Sequence, residues 1–215
     1  MSAKLLPTPP ILDAPEHLPV PFEPPERLLP RDQPPRAPNR WRRFLREVIE
    51  TLVLTVVVFF LVRIVIQNFR IDGYSMEPNF HDGQFLIVNK LAYQLDKPQH
   101  GDVVVFRYPP DPNRDFIKRV VGLPGDRVMV AHGRVMVNGA WIAEPYPLNA
   151  GSYSFPEAVV GEGELFVLGD NRNYSSDSHT WGMLPEKKII GKAWISYWPP
   201  ELAGWVQQYS FAASK

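Results

Sequence analysis

The sequence contains no cysteine. Disulfides, cysteine nucleophiles and thiolate metal sites are thereby excluded together. The absence does not identify a compartment, because a protein on the oxidising side of a membrane can simply avoid the residue. Histidine is scarce. His17, His81, His100, His132 and His179 form neither an H-E-x-x-H spacing nor a close pair, which argues against zinc. Neither charge is in surplus: 23 Lys and Arg balance 23 Asp and Glu. No overall basic field points to nucleic acid, and phosphate binding has no support at the level of the whole chain. There is no internal repeat at a fixed period and no helix-period segment of useful length after residue 90. No motif implies a metal or a cofactor.

What is present is unevenly distributed. The length of 215 residues suits one domain plus attachments, or at most two small domains, and 45% hydrophobic residues suffice for a core. The first forty residues hold 12 of the 24 prolines. Proline lacks the amide donor and fixes its own backbone angle, so residues 1–39 read as an extended or disordered tail. Residues 40–47 form a basic flank with Arg40, Arg42, Arg43 and Arg46. Residues 48–67 are almost wholly apolar, with Glu50 near one end and Arg63 near the other. A helix needs about 20 residues to cross the hydrocarbon layer, so this stretch predicts a single transmembrane helix rather than a buried core helix. It starts too late and runs too long for a cleaved signal peptide. The preceding arginines place the tail in the cytoplasm and everything after about residue 68 on the exported side. Both a plasma membrane and a thylakoid-type membrane fit, and the lipid itself is then a partner.

Residues 68–215 predict a β-rich domain. Phe85–Val88, Val103–Phe106, Phe116–Val121, Leu165–Leu168 and Ala193–Trp198 are short apolar runs, punctuated by Gly, Pro, Asp and Asn. Residues 127–131 and 134–138 alternate cleanly around His132-Gly133, which predicts a hairpin. The fold class expected is mainly β: one amino-terminal helix followed by a compact barrel-like or folded-sheet domain.

Three segments could carry chemistry. Asp72-Gly73-Tyr74-Ser75-Met76-Glu77-Pro78 sets a serine just after the membrane exit. In Asp115 to Asp126, a strand over 116–121 puts Lys118 on one face with Phe116 and Val120. An apolar setting disfavours the ammonium form, and a neutral amine can take a proton from a serine hydroxyl. Gly161 to Ser178 is a strand entering a loop dense in hydrogen-bonding groups. Taken singly, each segment favours a structural role: a turn serine, an edge-strand lysine, a self-bonded surface loop.

Together, and in this order after one membrane helix, the segments resemble the type I signal peptidases, serine–lysine dyad enzymes, over residues 47 to about 198. Ser75-Met76-x-Pro78 is similar to the nucleophile box, Gly101–Phe106 to the next strand box, Phe116–Asp126 to the lysine box, and Gly169–Ser178 with Trp181-Gly182 to the last. The resemblance implies an endopeptidase that removes signal peptides from preproteins after a small-x-small site. Ser75 would form an acyl-enzyme, with Lys118 as its base and the Ser75 amide as an oxyanion donor. It implies that Ser175 hydrogen-bonds Lys118, that Asp177 and Arg172 pair, and that Arg119 and Ser178 belong to the same framework. Asp170 and Asn171 would shape the loop. Ile71, Met76, Phe80, Phe116 and Ile117 match the positions that line the substrate pocket. Trp198, Trp205 and Phe211 fit either a membrane interface or ordinary packing.

The sequence departs from that pattern at three positions. Gly73 stands where many members carry a serine that adds a second oxyanion donor; Asn79 replaces a usual threonine; His179 stands where arginine often follows the last serine. The length suits a compact version without a large inserted domain. A self-cleaving repressor of similar chemistry would have no membrane span. A relative of the endoplasmic-reticulum type would carry histidine at position 118. A catalytically silent, membrane-tethered binding module remains the alternative of a different class. Nothing in the sequence sets an oligomeric state.

Overall fold

The structure is a computed structural model that describes residues 39–209. The proline-rich stretch before Asn39, and Phe211, lie outside the described residues. The chain divides into two compact units, 1–48 and 49–215.

Helix α1 runs from Arg40 to Val65, and the basic cluster lies in its first turns. Its 26 residues extend about 39 Å, more than the roughly 30 Å of a hydrocarbon layer. None of them is buried. Among the described residues α1 is the one helix long and apolar enough to cross a membrane, with a mean hydropathy of 2.6 over its most apolar window. The helix stops two residues earlier than the apolar pattern predicts. Ile66 and Gln67 belong instead to strand β1 (Ile66–Arg70), which pairs antiparallel with β2 (Phe85–Asn89). Once Val65 O accepts from Lys90 N, that ladder satisfies the backbone in place of further helical turns.

The remaining elements in chain order are the single turn α2 (Ala92–Leu95), β3 (Val103–Arg107), β4 (Asp115–Gly122), β5 (Arg127–Ala131), β6 (Arg134–Val137), β7 (Ala140–Trp141), β8 (Phe155–Val159), β9 (Glu164–Leu168), the single turn α3 (Ser178–Trp181), β10 (Leu184–Pro185), β11 (Ile189–Trp198) and β12 (Gly204–Trp205). The larger sheet has the order β1-β2-β11-β3-β4-β9-β10, with β12 beside β11. The smaller is β7-β6-β5-β8. Every strand pair is antiparallel. Both sheets are open; the expectation resolves to folded sheets and not to a closed barrel. The hairpin expected at His132-Gly133 joins β5 to β6, with φ of 49° and 74° at its two turn residues, the primed geometry that two-residue hairpins require.

Alternation along β3 sorts the core. Val103 and Val105 enter one apolar cluster with Met76, Leu86, Val88 and Ile117. Val104 and Phe106 enter another with Val120, Leu165 and Val167. A third cluster joins the sheets: Val121, Phe166 and Leu168 of the larger meet Val128, Val130, Val135 and Val137 of the smaller. Each such side chain, fully buried, contributes about 1.5–3 kcal/mol. β4 contributes Ile117, Val121 and Val120 to all three clusters, so packing on both faces holds a side chain mounted on it. Trp205, 70% exposed, packs its ring edge-on to Trp194 at 5.4 Å, and Trp198 is also exposed.

Candidate active site

Ser75 sits in the turn between β1 and β2, and its carbonyl and its neighbours' backbone groups hold it there. Ile71 N donates to Gln84 O at 2.8 Å and Gly83 N to Ile71 O at 3.0 Å, which closes the base of the turn. Gly73 N donates to Asp82 Oδ1 at 2.8 Å. Met76, fully buried, anchors the segment beside the serine. On the far side, Asn171 N donates to Ser75 O and Asn171 Nδ2 to Tyr74 O, both at 3.1 Å. Gly73 has φ +100°, with open space where a Cβ would point. A serine side chain would fit there sterically, but only glycine adopts that backbone without strain.

Lys118 projects from the middle of β4, between β3 and β9, and is 3% exposed. Its Nζ donates to Ser75 Oγ at 2.6 Å and to Ile117 O at 2.8 Å, and lies 5.2 Å from the centre of the Phe116 ring. Burial lowers its pKa from 10.5 to about 8, against the opposing pull of Asp177 and Asp170. Ser75 and Lys118 are therefore brought together from turn and strand, 43 residues apart.

The loop from Gly169 to Ser178 closes over this pair. Gly169 is required by close approach: a Cβ there would lie 2.2 Å from Ser175 Oγ and 2.4 Å from Ser75 O. Asp177 caps α3 in a reciprocal box with Thr180. Its Oδ2 accepts from Gly169 N at 2.9 Å and its Oδ1 contacts His179 Nδ1 at 2.6 Å. Ser178 Oγ accepts from Val167 N at 2.9 Å. Arg119 forks Asp170, Nε to Oδ1 at 2.9 Å and Nη2 to Oδ2 at 2.7 Å, with both side chains 1% exposed. Asn79, one of the departures, completes the Asp170 carboxylate at 2.7 Å while its other proton goes to Pro147 O.

Two expected contacts are not made among the described residues. Arg172 and Asp177 do not pair. Arg172 turns to Gly169 O, Gly133 O and the Glu144 carboxylate, while Asp177 is taken by the helix cap, Gly169 N and His179. Ser175 makes no hydrogen bond to Lys118; its Oγ is buried with no partner among the described residues. Lys118 instead fills its bonds with Ser75 and Ile117 O. Of the five positions expected to line the pocket, Phe116 and Ile117 border the cleft beside the serine. Ile71, Met76 and Phe80 turn into the buried cluster that they share with Val103, Val105 and Ile117.

That cleft has a volume of about 350 Å³. Tyr74, Ser75, Phe116, Lys118, Tyr174 and Ser176 line it, together with the charged Arg70, Asp72, Arg114 and Asp115. Glu144 and Tyr146 escaped the sequence reading altogether. Tyr146 OH donates to Glu144, and its ring lies 4.0 Å from the Arg119 guanidinium, so the two buried ion pairs form one chain from Asp170 to Arg172. Glu144-Pro145-Tyr146-Pro147 carries no periodicity that would have flagged it.

The arrangement is a serine hydroxyl held against a buried amine with a lowered pKa, in an open cleft. Residues 45–198 match the family described as signal peptidase, peptidase S26. The chain is similar to a probable signal peptidase I-1 of Synechocystis sp., 37% identical over 186 residues that cover 83% of this chain and 94% of that protein. It is similar to signal peptidase I of Leptolyngbya laminosa, 39% identical, covering 74% and 83% respectively. A probable thylakoidal processing peptidase 2, chloroplastic, of Arabidopsis thaliana is 42% identical over 60% of this chain and 37% of its own length. The exposed apolar helix and these relatives are compatible with a membrane-anchored protein. A family match across 154 residues, including the turn, the strand and the loop just described, leaves a plain conclusion: this chain belongs to the signal peptidases, peptidase family S26.

Proposed function

We propose that the protein is a membrane-anchored serine endopeptidase that removes signal peptides from exported preproteins after a small-x-small site, through a Ser75 acyl-enzyme with Lys118 as general base. The observation that carries this reading is the 2.6 Å contact from Lys118 Nζ to Ser75 Oγ, made by a buried lysine neither of whose hydrogen-bond partners is a carboxylate. In the neutral amine one N–H stays on Ile117 O and the lone pair faces the hydroxyl. As Ser75 Oγ forms its bond to the scissile carbonyl carbon, Lys118 takes the hydroxyl proton. Collapse of the tetrahedral intermediate breaks the C–N bond, and the ammonium returns that proton to the leaving amine. Water then attacks the ester with Lys118 again as base.

The developing oxyanion is assigned to the Ser75 amide, and one such donor contributes about 2.7–4 kcal/mol. Gly73 offers no side-chain donor. Ser175, partnerless in the resting state, is assigned to the ammonium once it forms. The peptide would add as an extended strand along the cleft, with Phe116 and Ile117 limiting side-chain size. The amino terminus would lie in the cytoplasm and the β domain outside, at a plasma or thylakoid-type membrane. Anchoring enzyme and signal segment in one bilayer raises their effective concentration.

The test is processing of a preprotein by the purified full chain in lipid, with the cut site mapped. Ser75→Ala and Lys118→Ala should each abolish cleavage while the β domain stays folded. Wild-type processing by Lys118→Ala would refute the mechanism. Protease added from either side of sealed vesicles should reach the β domain only from the exported side.

A further inference from the structure

Beyond Asp115 the surface opens into a second cavity, of about 320 Å³. Its lining includes Lys90, Arg107, Lys187 and Lys188 against a single carboxylate, Asp115. These residues come from separate places in the chain: the end of β2, the end of β3, the start of β4 and the turn into β11. A solvated charge run is local in sequence; this cluster is assembled by the fold. None of the four cations takes part in the ion pairs found among the described residues. Arg107 faces Asp115 in register across β3 and β4, so the one acid offsets one of the four charges. A chain with no net formal charge therefore concentrates about three unbalanced positive charges in one concavity, a local field that the overall balance conceals.

The cavity lies where α1 ends. Lys90 N donates to Val65 O at 2.9 Å, Lys90 Nζ reaches Arg63 O at 3.5 Å, and Gln67, two residues past the helix, is part of the lining. If α1 spans a bilayer, this is the depth of the lipid headgroups. We propose that the cavity binds the phosphate of an anionic phospholipid headgroup. The proposal rests on the reading of α1 as a membrane span and is independent of the dyad. Asp115 lines both this cavity and the active-site cleft, so a lipid held here fixes the cleft against the membrane surface from which a signal segment emerges.

The full chain carrying Ser75→Ala, in non-ionic detergent, is examined by native mass spectrometry with phosphatidylglycerol and phosphatidylcholine. We expect phosphatidylglycerol to be retained about tenfold better, and Lys187→Gln with Lys188→Gln to bring the two lipids close to parity. Lys187 is exposed and Lys188 half-buried, and neither contributes to the core, so the double variant should fold. Equal retention of both lipids by the parent, or an unchanged preference in the double variant, overturns the proposal. Inorganic phosphate that competes as well as phosphatidylglycerol itself would overturn the lipid assignment in favour of a soluble anion. Resistance of the chain to alkaline extraction from neutral vesicles reports α1 separately. Extraction there would overturn the span and with it the headgroup as the source, without bearing on cleavage by the wild-type enzyme.

Discussion

Lys118 and Arg119 are neighbours on β4, both cations and both buried, and the two faces of the strand treat them in opposite ways. Arg119 meets a carboxylate in forked geometry. Burial alone would lower its pKa, but the hydrogen bonds and charge of Asp170 outweigh that and leave it raised. Lys118 meets a hydroxyl and a carbonyl, and burial prevails. Asp170 and Asp177 pull it toward the charged form without contact, which holds its pKa near 8 and not lower. Burial by itself thus decides nothing about a cation. A partner within bonding distance makes a structural strut, and the lack of one makes a group able to give up its proton.

The largest effect should come from removing the reactive face. Lys118→Met keeps roughly the volume of the side chain but not the amine. We expect processing to fall by at least the 10²–10⁴-fold typical of a general base, measured as kcat/KM on a preprotein. In the unaltered enzyme kcat/KM should rise with pH through about 8 as Lys118 loses its proton. Stability has the same origin. The folded pKa lies below the unfolded 10.5, so between about 8 and 10.5 the unfolded chain binds more protons and stability rises with pH. The rise amounts to about 3 kcal/mol at 1.36 kcal/mol per pH unit, and Lys118→Met should abolish it in urea titrations at several pH values.

Breaking the other face should act on folding. Asp170→Ala strands Arg119 as an uncompensated buried charge and should cost about 3–5 kcal/mol in urea denaturation. A loss under 1 kcal/mol would show that Arg119 finds another partner and that the contrast between the faces is shallow. Next in size is Gly169→Ala, which drives a methyl against Ser175 and the Ser75 carbonyl. Overpacking of this kind costs about 1–3 kcal/mol, and here it should also depress kcat if Ser75 is the nucleophile proposed above, because the displaced groups flank it.

How far the sequence foretold this site depends on how local each signal is. The strands were readable because period-two alternation and turn residues are written into consecutive positions, as in β5 and β6. The meeting of Ser75 with Lys118 was readable only through the order of four weak segments, since neither residue has a local feature that exceeds a structural role. Glu144 was not readable: its partner Arg172 lies 28 residues away and nothing around it alternates. The Asp177–Arg172 pair, implied only by the family resemblance, is not made, because a motif does not say which way a side chain turns once a helix cap competes for the carboxylate. The end of α1 was overrun by two residues because apolar Ile66 suits a helix as well as a strand, and only its ladder with β2 decides.

Ser175 offers the smallest effect and the finest test of the contrast. Its hydroxyl is buried without a partner, while Lys118 bonds elsewhere. An unsatisfied buried hydroxyl costs about 1 kcal/mol or more, so Ser175→Ala should leave stability unchanged or raise it by about that amount. If the hydroxyl waits for the ammonium, its oxygen favours the charged amine, and losing it lowers the Lys118 pKa. The acid limb of kcat/KM should then move to lower pH while kcat falls, and the Thr variant should restore both. A purely structural serine would give the opposite signature: stability lowered, with the limb unmoved. In the first outcome the reactive face of β4 has a partner after all, one that engages only after the proton has moved.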